Sequence, residues 1–340
     1  MSQTRPAGLG PDSFAWLAGF LKARSGLVLG DDKDYLLESR LSPIAREQGC
    51  SGLEALVARL QGAPNGLLGV AVVEAMATNE SFFFRDGTPF AHVRAALPRL
   101  CASRPPGVPL RIWSAGCSNG QEAYSLAMLL AEARTVLAGR PVEILGTDLS
   151  QEVLRRAREG LYTQFEVQRG LPVTQLVRHF RKEGPNWRIS EALRAMVSWR
   201  CCNLLDPLAT LGRFDVVFCR NVLLYFDQPT RTRVLEQIAA MMPADGLLYL
   251  GGAETVLGIT RRFEPLAGQR GAYAPAGRGA AQPPAAVGRA ATAMPLPRPV
   301  SASPPPAPPA TPAATPGLAA GMLAGAGPKF GTAAVGSRST

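Results

Sequence analysis

LRIWSAGCSNGQEAYSL, residues 110–126, opens as a short apolar strand over residues 110–113 and breaks at Ser114-Ala115-Gly116. It resumes as a helix from about Gln121, with apolar positions at Ala123, Leu126, Ala127 and Leu130. Doubly wound α/β folds hold nucleotide-like ligands with such a strand, glycine turn and helix. Glycine lets the backbone approach the ligand, and the free N–H groups of the first helical turn face it. The turn here is G-x-x-x-G (Gly116, Gly120), not the G-x-G-x-x-G of dinucleotide folds. S-adenosylmethionine carries no diphosphate, so it needs close approach but no pyrophosphate cradle. The turn therefore favours a methyltransferase over a nicotinamide-dependent dehydrogenase. Taken alone, an ordinary strand-to-helix corner fits the same residues.

Working outward, the 340 residues leave room for one large or two medium domains with a real core. Hydrophobic residues make up 46% and charged residues 18%, a globular balance that hides a split along the chain. From Pro275 onward there is no Asp or Glu, and runs such as SPPPAPPATPAATP dominate. Few large apolar residues occur there, so residues 275–340 are expected to be a disordered or polyproline-type tail rich in Pro and Ala. The tail holds five basic residues (Arg278, Arg289, Arg298, Lys329, Arg338); removing them from the net charge of +10 leaves about +5 for the folded part. With no dense basic block interleaved with aromatics, no nucleic acid partner is expected. A mildly basic body suits an acidic protein partner.

The six cysteines (Cys50, Cys101, Cys117, Cys201, Cys202, Cys219) show no C-x-x-C spacing, and the histidines are only His92 and His179. This argues against a metal site and for buried, reduced thiols. No leader pattern opens the chain and no apolar run approaches the ~18 residues of a membrane span. The expectation is a cytoplasmic monomer without membrane insertion.

In chain order, residues 12–77 are helical, with Phe14, Leu17 and Leu21, then Leu37 and Leu41, then Leu53, Leu56, Val57 and Leu60, then Val70, Val73 and Met76 at helical spacing. Breakers at Gly26, 49–52 and 62–64 divide them into a small bundle, so residues 1–88 read as an N-terminal all-α domain. Lys33, Arg40 and Arg46 lie close to one side of the second helix, away from its leucines; a solvated face and a docking face for an acidic partner both fit. Next, TNESFFFRD (78–86) sets three phenylalanines between polar ends, which suits a segment pinned to a core with its ends facing a site.

Residues 89–274 then alternate as an α/β domain. A second strand over 142–146 ends at Asp148, placed to accept hydrogen bonds from ribose hydroxyls; a strand-end cap is the plainer alternative. Ser150 can cap the next helix. Residues 173–180 form an amphipathic piece, and 181–190 a small β-hairpin inserted into the domain. Strands follow at 197–201, at 214–219 (FDVVFC, covered on both faces) and at 247–251, with a last one near Tyr273.

Polar residues after successive strand ends converge on one crevice in such a sheet. TNESFFFRD, RIWSAGCSNGQEAYSLAM, EILGTDLS, CNLLDP and FDVVFCRNVLLYFD, in this order, resemble the CheR family of chemotaxis receptor glutamate O-methyltransferases. The resemblance implies a class I S-adenosylmethionine-dependent fold and methylation of glutamate side chains on the cytoplasmic helices of chemoreceptors, releasing S-adenosylhomocysteine. It also implies that Asn79, Ser81, Arg85, Gly116, Glu122, Asp148, Asn203, Leu204, Arg220 and Asn221 bind the cofactor. Arg85 and Tyr225 match the residues nearest the methyl group, and Lys33, Arg40 and Arg46 a receptor-docking face. Departures are Gln121 and Ala123, where an acidic residue and a proline often stand, and Gly251-Gly252-Ala253-Glu254, which lacks a preceding histidine. A methyltransferase acting on another protein or a small molecule, and a signalling scaffold that binds the cofactor without turnover, are the competing readings.

Overall fold

Four helices open the computed structural model, which describes residues 9–30 and 34–277. They are α1 (Pro11–Ser25), α2 (Asp34–Glu47), α3 (Leu53–Gly62) and α4 (Leu67–Met76). Phe14, Leu17 and Leu21 meet Leu37, Leu41, Leu56, Leu60 and Val73 in one core. The helices are short, so packing of these stripes rather than intrinsic propensity holds them. Lys33 and residues 278–340, most of the expected tail, lie outside the described residues.

After α5 (Thr88–Ala102) come ten strands among the described residues. They are β1 (Leu110–Ala115), β2 (Val142–Asp148), β3 (Leu161–Thr163), β4 (Phe180–Glu183), β5 (Asn186–Ile189), β6 (Val197–Cys201), β7 (Val216–Cys219), β8 (Leu247–Leu250), β9 (Phe263–Pro265) and β10 (Ala272–Pro275). Seven form a sheet in the order β6-β2-β1-β7-β8-β10-β9. Strands β6 to β8 run parallel, and β10 is antiparallel to both β8 and β9. Helix α6 (Gln121–Glu132) follows β1.

Side chains alternate across a strand, and β1 serves two cores. Ile112 joins α5 and α6 on one face through Phe90, Leu97, Leu126 and Leu130. Trp113 and Ala115 join Leu208, Phe214, Val234 and Ile238 on the other. From β1 the chain steps outward to β2 and β6, and later returns to β7 on its opposite side. The order reverses between β1 and β7, and the crevice at their carboxyl ends is where ligands bind in such sheets.

The expected elements are present, with shifts. The first two strands run two residues further than expected, and the strand expected at 214–219 begins at Val216. The inserted hairpin is a correction: β4 and β5 form it, but β3 adds a third strand, pairing Tyr162 with Trp187. Three residues between Gly160 and Gln164 are too few to show a period. The piece expected to be amphipathic, helix Val173–His179, buries none of its residues, and Val173 and Val177 are 73% and 75% exposed. All six cysteines are free; Cys117 and Cys219 are buried, whereas Cys201 is exposed, contrary to the expectation of buried thiols. Among the described residues, no helix is long and apolar enough to cross a membrane.

The small sheet meets the triple-phenylalanine segment closely. Gly170 has φ +80, and a Cβ there would lie 2.1 Å from the Phe83 carbonyl oxygen. Gly184, in the β4–β5 turn, has φ +58 with open space around it. Gly184→Ala should therefore cost about 1 kcal/mol, the left-handed backbone penalty alone. Gly170→Ala should cost about 2 kcal/mol or more, because backbone must also move. Urea unfolding of the two variants checks the difference.

Candidate active site

The loop between β1 and α6 is shaped by two left-handed glycines. Gly116 (φ +68) lets the loop approach the segment after β7, where a Cβ would fall 2.4 Å from Val222. Gly120 (φ +89) starts α6 against Trp199 and Ala157, with a Cβ 2.7 Å from the tryptophan ring. Between them, Ser118 joins three parts of the site. Its N–H donates to Asp148 Oδ2 at 2.8 Å, and its hydroxyl donates to the Asn79 carbonyl at 2.8 Å. Asp148 Oδ1 accepts from the Ser150 N–H at 3.0 Å. Each oxygen keeps further accepting capacity, and Asp148 lines the cavity described below. Burial raises its pKa, opposed by the Ser150 and Ser118 amides.

Glu122, in the first turn of α6, accepts from Ser114 Oγ at 2.8 Å and from Arg220 Nη1 at 3.0 Å. Burial raises its pKa as well, and the Arg220 charge opposes the rise. Arg220 reaches the other way to Asp86, so one guanidinium joins the end of β7, α6 and the segment before α5.

The loop after β7 is built on Glu254. Its carboxylate accepts four backbone N–H groups: Gly251 at 2.6 Å, Asn221 at 2.7 Å, Val222 at 2.9 Å and Leu224 at 3.1 Å. These bonds hold Asn221 at φ +60 and bring Tyr225 to the cavity. Asn221 Oδ1 and Arg220 Nε are buried without a hydrogen-bond partner. Buried polar atoms are rarely left so, and an orphan beside a cavity points to a missing ligand donor.

The helical part supplies the remaining wall. Asn203 Nδ2 donates to the Arg24 carbonyl at 2.7 Å, and the Val28 N–H to the Tyr225 carbonyl at 2.9 Å. Lys22 pairs with Asp227 at 2.8 Å and, with Thr230, holds that carboxyl down at about 2. Ser25 and Leu27 thereby line the same cavity.

That cavity encloses about 1000 Å³, its open mouth included, and all eleven residues expected at the site line it: Asn79, Ser81, Arg85, Gly116, Glu122, Asp148, Asn203, Leu204, Arg220, Asn221 and Tyr225. Residues that the sequence analysis missed are Ser25, Leu27, Ala77, Thr78, Glu80, Ser118, Leu149, Cys202, Val222 and Phe226. Glu80, Leu149, Cys202, Val222 and Phe226 adjoin expected residues, and Ser118 lies in the loop between Gly116 and Glu122, so all were reachable by extending each motif. Ser25 and Leu27 gave no signal, since strand-end logic says nothing of a helical bundle. Glu254, which was noted only for its missing histidine, proves to be the anchor of the Asn221 loop.

Arg85 donates to the Glu80 carbonyl at 3.2 Å and lies 5.4 Å from the Phe82 ring centre; it forms no ion pair among the described residues. Arg40 departs from the expected docking face. Its guanidinium donates to the carbonyls of Met76 (2.7 Å) and Ala77 (3.1 Å) and to Thr78 Oγ1 (3.3 Å), closing the end of α4. Arg46 is exposed. Among the described residues, no three His, Cys, Asp or Glu side chains are placed to hold a metal ion.

Two buried carboxylates, an apolar wall of Leu27, Leu149, Leu204, Val222 and Phe226, a glycine cradle and an orphaned amide oxygen fit a nucleoside that carries cationic groups. S-adenosylmethionine is such a ligand. Comparison with known proteins agrees. Residues 79–272 match the family described as CheR methyltransferase, SAM binding domain, and residues 12–70 match CheR methyltransferase, all-alpha domain. Chemotaxis protein methyltransferase Cher2 of Pseudomonas putida is 39% identical over 250 residues, covering 72% of this chain and 90% of the relative. Chemotaxis protein methyltransferase 1 of Pseudomonas aeruginosa is 41% identical with the same coverage. The chemotaxis protein methyltransferase of Salmonella typhimurium is 32% identical over 268 residues, 77% of this chain and 90% of the relative.

Glu254→Gln puts an amide N–H₂ where backbone N–H groups need an acceptor. It should destabilise the fold by about 1–3 kcal/mol, the cost of leaving such donors unmade. It should also weaken S-adenosylmethionine binding by loosening Asn221. Urea unfolding and calorimetry check the two effects.

Proposed function

The chain belongs to the CheR methyltransferase family, and from that premise we propose that it methylates glutamate side chains on the cytoplasmic helices of chemoreceptors. S-adenosylmethionine supplies the methyl group as an electrophilic carbon on a sulfonium, and S-adenosylhomocysteine is the product. The observation that carries the glutamate reading is Arg85. It is a cavity-lining guanidinium with no carboxylate at ion-pair distance among the described residues, feeling Glu80 and Glu122 only at longer range, and so able to take one from a substrate.

The chemistry suits the residues present. A glutamate side chain titrates near 4.3 and is already an ionised nucleophile at neutral pH. A substrate carboxylate oxygen donates a lone pair to the methyl carbon, the C–O bond forms as the C–S bond breaks, and the bonding pair stays on sulfur. No proton is removed, so no base is required. The work of the protein is alignment, which effective-molarity arguments put at roughly 7–11 kcal/mol at best. Arg85 orients the carboxylate by a charge-assisted bond, and Tyr225, from the loop held by Glu254, completes the wall beside it. In this reading Asp148 holds the ribose hydroxyls and Asn221 Oδ1 takes a donor of the cofactor. No metal takes part. The protein acts in the cytoplasm as a monomer, with Arg46 the described residue left to meet the receptor.

Incubation of the purified protein with methyl-labelled S-adenosylmethionine and a receptor cytoplasmic fragment should give base-labile counts. Counts that survive mild base would overturn the glutamate reading. Arg85→Ala should lower kcat by about 10²–10³, the scale set by removing one preorganised charge-stabilising donor.

Burial raises the pKa of both Glu122 and Asp148 from the ordinary carboxylate value. A cationic ligand favours their ionised forms. S-adenosylmethionine affinity should therefore be full at neutral pH and fall as acid is added, with the fall starting above the pH at which free carboxylates protonate. Calorimetric titration from neutral pH down into the acid range checks the sign.

A further inference from the structure

We propose that Asp86 is a positioning residue that fixes Arg85 for methyl transfer through its ion pair with Arg220. The inference rests on the functional reading above and adds a residue to it.

Arg85 sits in a turn of unusual backbone. Phe84 has φ +49, Asp86 φ +66 and Gly87 φ +57. Non-glycine residues seldom adopt such angles, and they persist only where the surroundings impose them. The apolar side of the turn has clear anchors. Phe83 is fully buried, edge-on to Tyr162 and Phe180, and the Phe84 N–H donates to Ser125 Oγ at 2.9 Å. The Gly87 N–H closes the turn on the Phe84 carbonyl at 2.8 Å.

Arg85 has no comparable hold of its own. A carbonyl at 3.2 Å and the face of the Phe82 ring at 5.4 Å are its close partners. Its position is therefore inherited from the turn, and the polar side of the turn has one strong anchor, the pair of Asp86 with Arg220. Asp86 is 53% exposed, and a pair between two such groups would count for little. Arg220, however, is 1% exposed and cannot move freely, because its other Nη is bonded to Glu122 on α6. A buried, doubly held guanidinium gives a charge-assisted bond of fixed geometry. The path runs from α6 through Glu122, Arg220 and Asp86 to the neighbouring Arg85.

The test uses the full chain with Asp86→Asn and Asp86→Glu. Asp86→Asn keeps the size of the side chain and removes its charge; Arg220 keeps its bond to Glu122, and urea unfolding of the variant separates any loss of stability from the loss of rate. Asp86→Asn should lower kcat toward the receptor fragment by about ten- to a hundredfold, the range attached to a misplacement near 1 Å. S-adenosylmethionine affinity by calorimetry should stay at the wild-type value, and Asp86→Glu should recover most of the rate. Amide hydrogen exchange at Phe84 and Gly87 should speed up in Asp86→Asn alone. A wild-type kcat in Asp86→Asn, or a rate loss matched by an equal loss of cofactor affinity, overturns the inference. Should wild-type protein transfer no methyl group to the receptor, the functional reading fails separately. Exchange at the turn then decides whether Asp86 holds it: faster exchange in Asp86→Asn supports that role, and unchanged exchange overturns it.

Discussion

Arg220 is a guanidinium with almost no exposed surface, lying between Glu122 and Asp86 at the end of β7. An unpaired buried charge costs several kcal/mol, and removing one partner of such a pair is far worse than never having built it. The protein therefore cannot place Arg220 there without bringing two carboxylates to it, and those carboxylates belong to different elements. Glu122 comes with α6 and so with the glycine loop; Asp86 comes with the segment carrying Asn79, Ser81 and Arg85. One buried cation thus obliges three stretches separated in sequence to converge. The price falls on Glu122, whose burial raises its pKa against the opposing pull of Arg220 and Ser114.

A second convergence joins the helical part to the sheet. Asn203 grips the Arg24 carbonyl, Tyr225 takes the Val28 N–H, Lys22 reaches Asp227, and Glu74 accepts the Gln151 N–H at 2.6 Å. Gly26 presses so near Phe226 that a Cβ would lie 2.9 Å from the ring. These contacts set Ser25 and Leu27 into the cavity wall. Arg40 belongs to the same scheme. By binding the last carbonyls of α4 it fixes where the chain leaves the bundle, two residues before Asn79. The helical bundle is therefore part of the cavity wall and not only a surface beside it.

Much of this was legible in the sequence because its signals are local. A strand, a glycine turn and a helix can be read from residues 110–126, and polar residues at strand ends converge by topology alone, so Asp148, Asn203 and Asn221 could be placed together without a structure. What stayed hidden depends on contacts between distant residues. Glu254 is one more acid after a strand until three of its backbone partners, about thirty residues away, come into view. Arg40 looks like any basic residue on a helix until α4 is set against it. Strand β3 is three residues long and owes its existence to Trp187 and its neighbours, not to any periodicity of its own.

The distribution of charge within the cavity carries a last consequence. Glu122 is balanced by Arg220, whereas Asp148 is held by the neutral N–H groups of Ser118 and Ser150. Backbone dipoles favour an ionised carboxylate but do not cancel its charge, and in a partly buried site that charge acts over several ångströms with little screening. The wall near Asp148 therefore attracts a cation more than a neutral molecule of the same shape. A sulfonium donor enters such a site with a positive charge and leaves as an uncharged thioether. In the functional reading above, the same field that favours loading of the donor offers its product less.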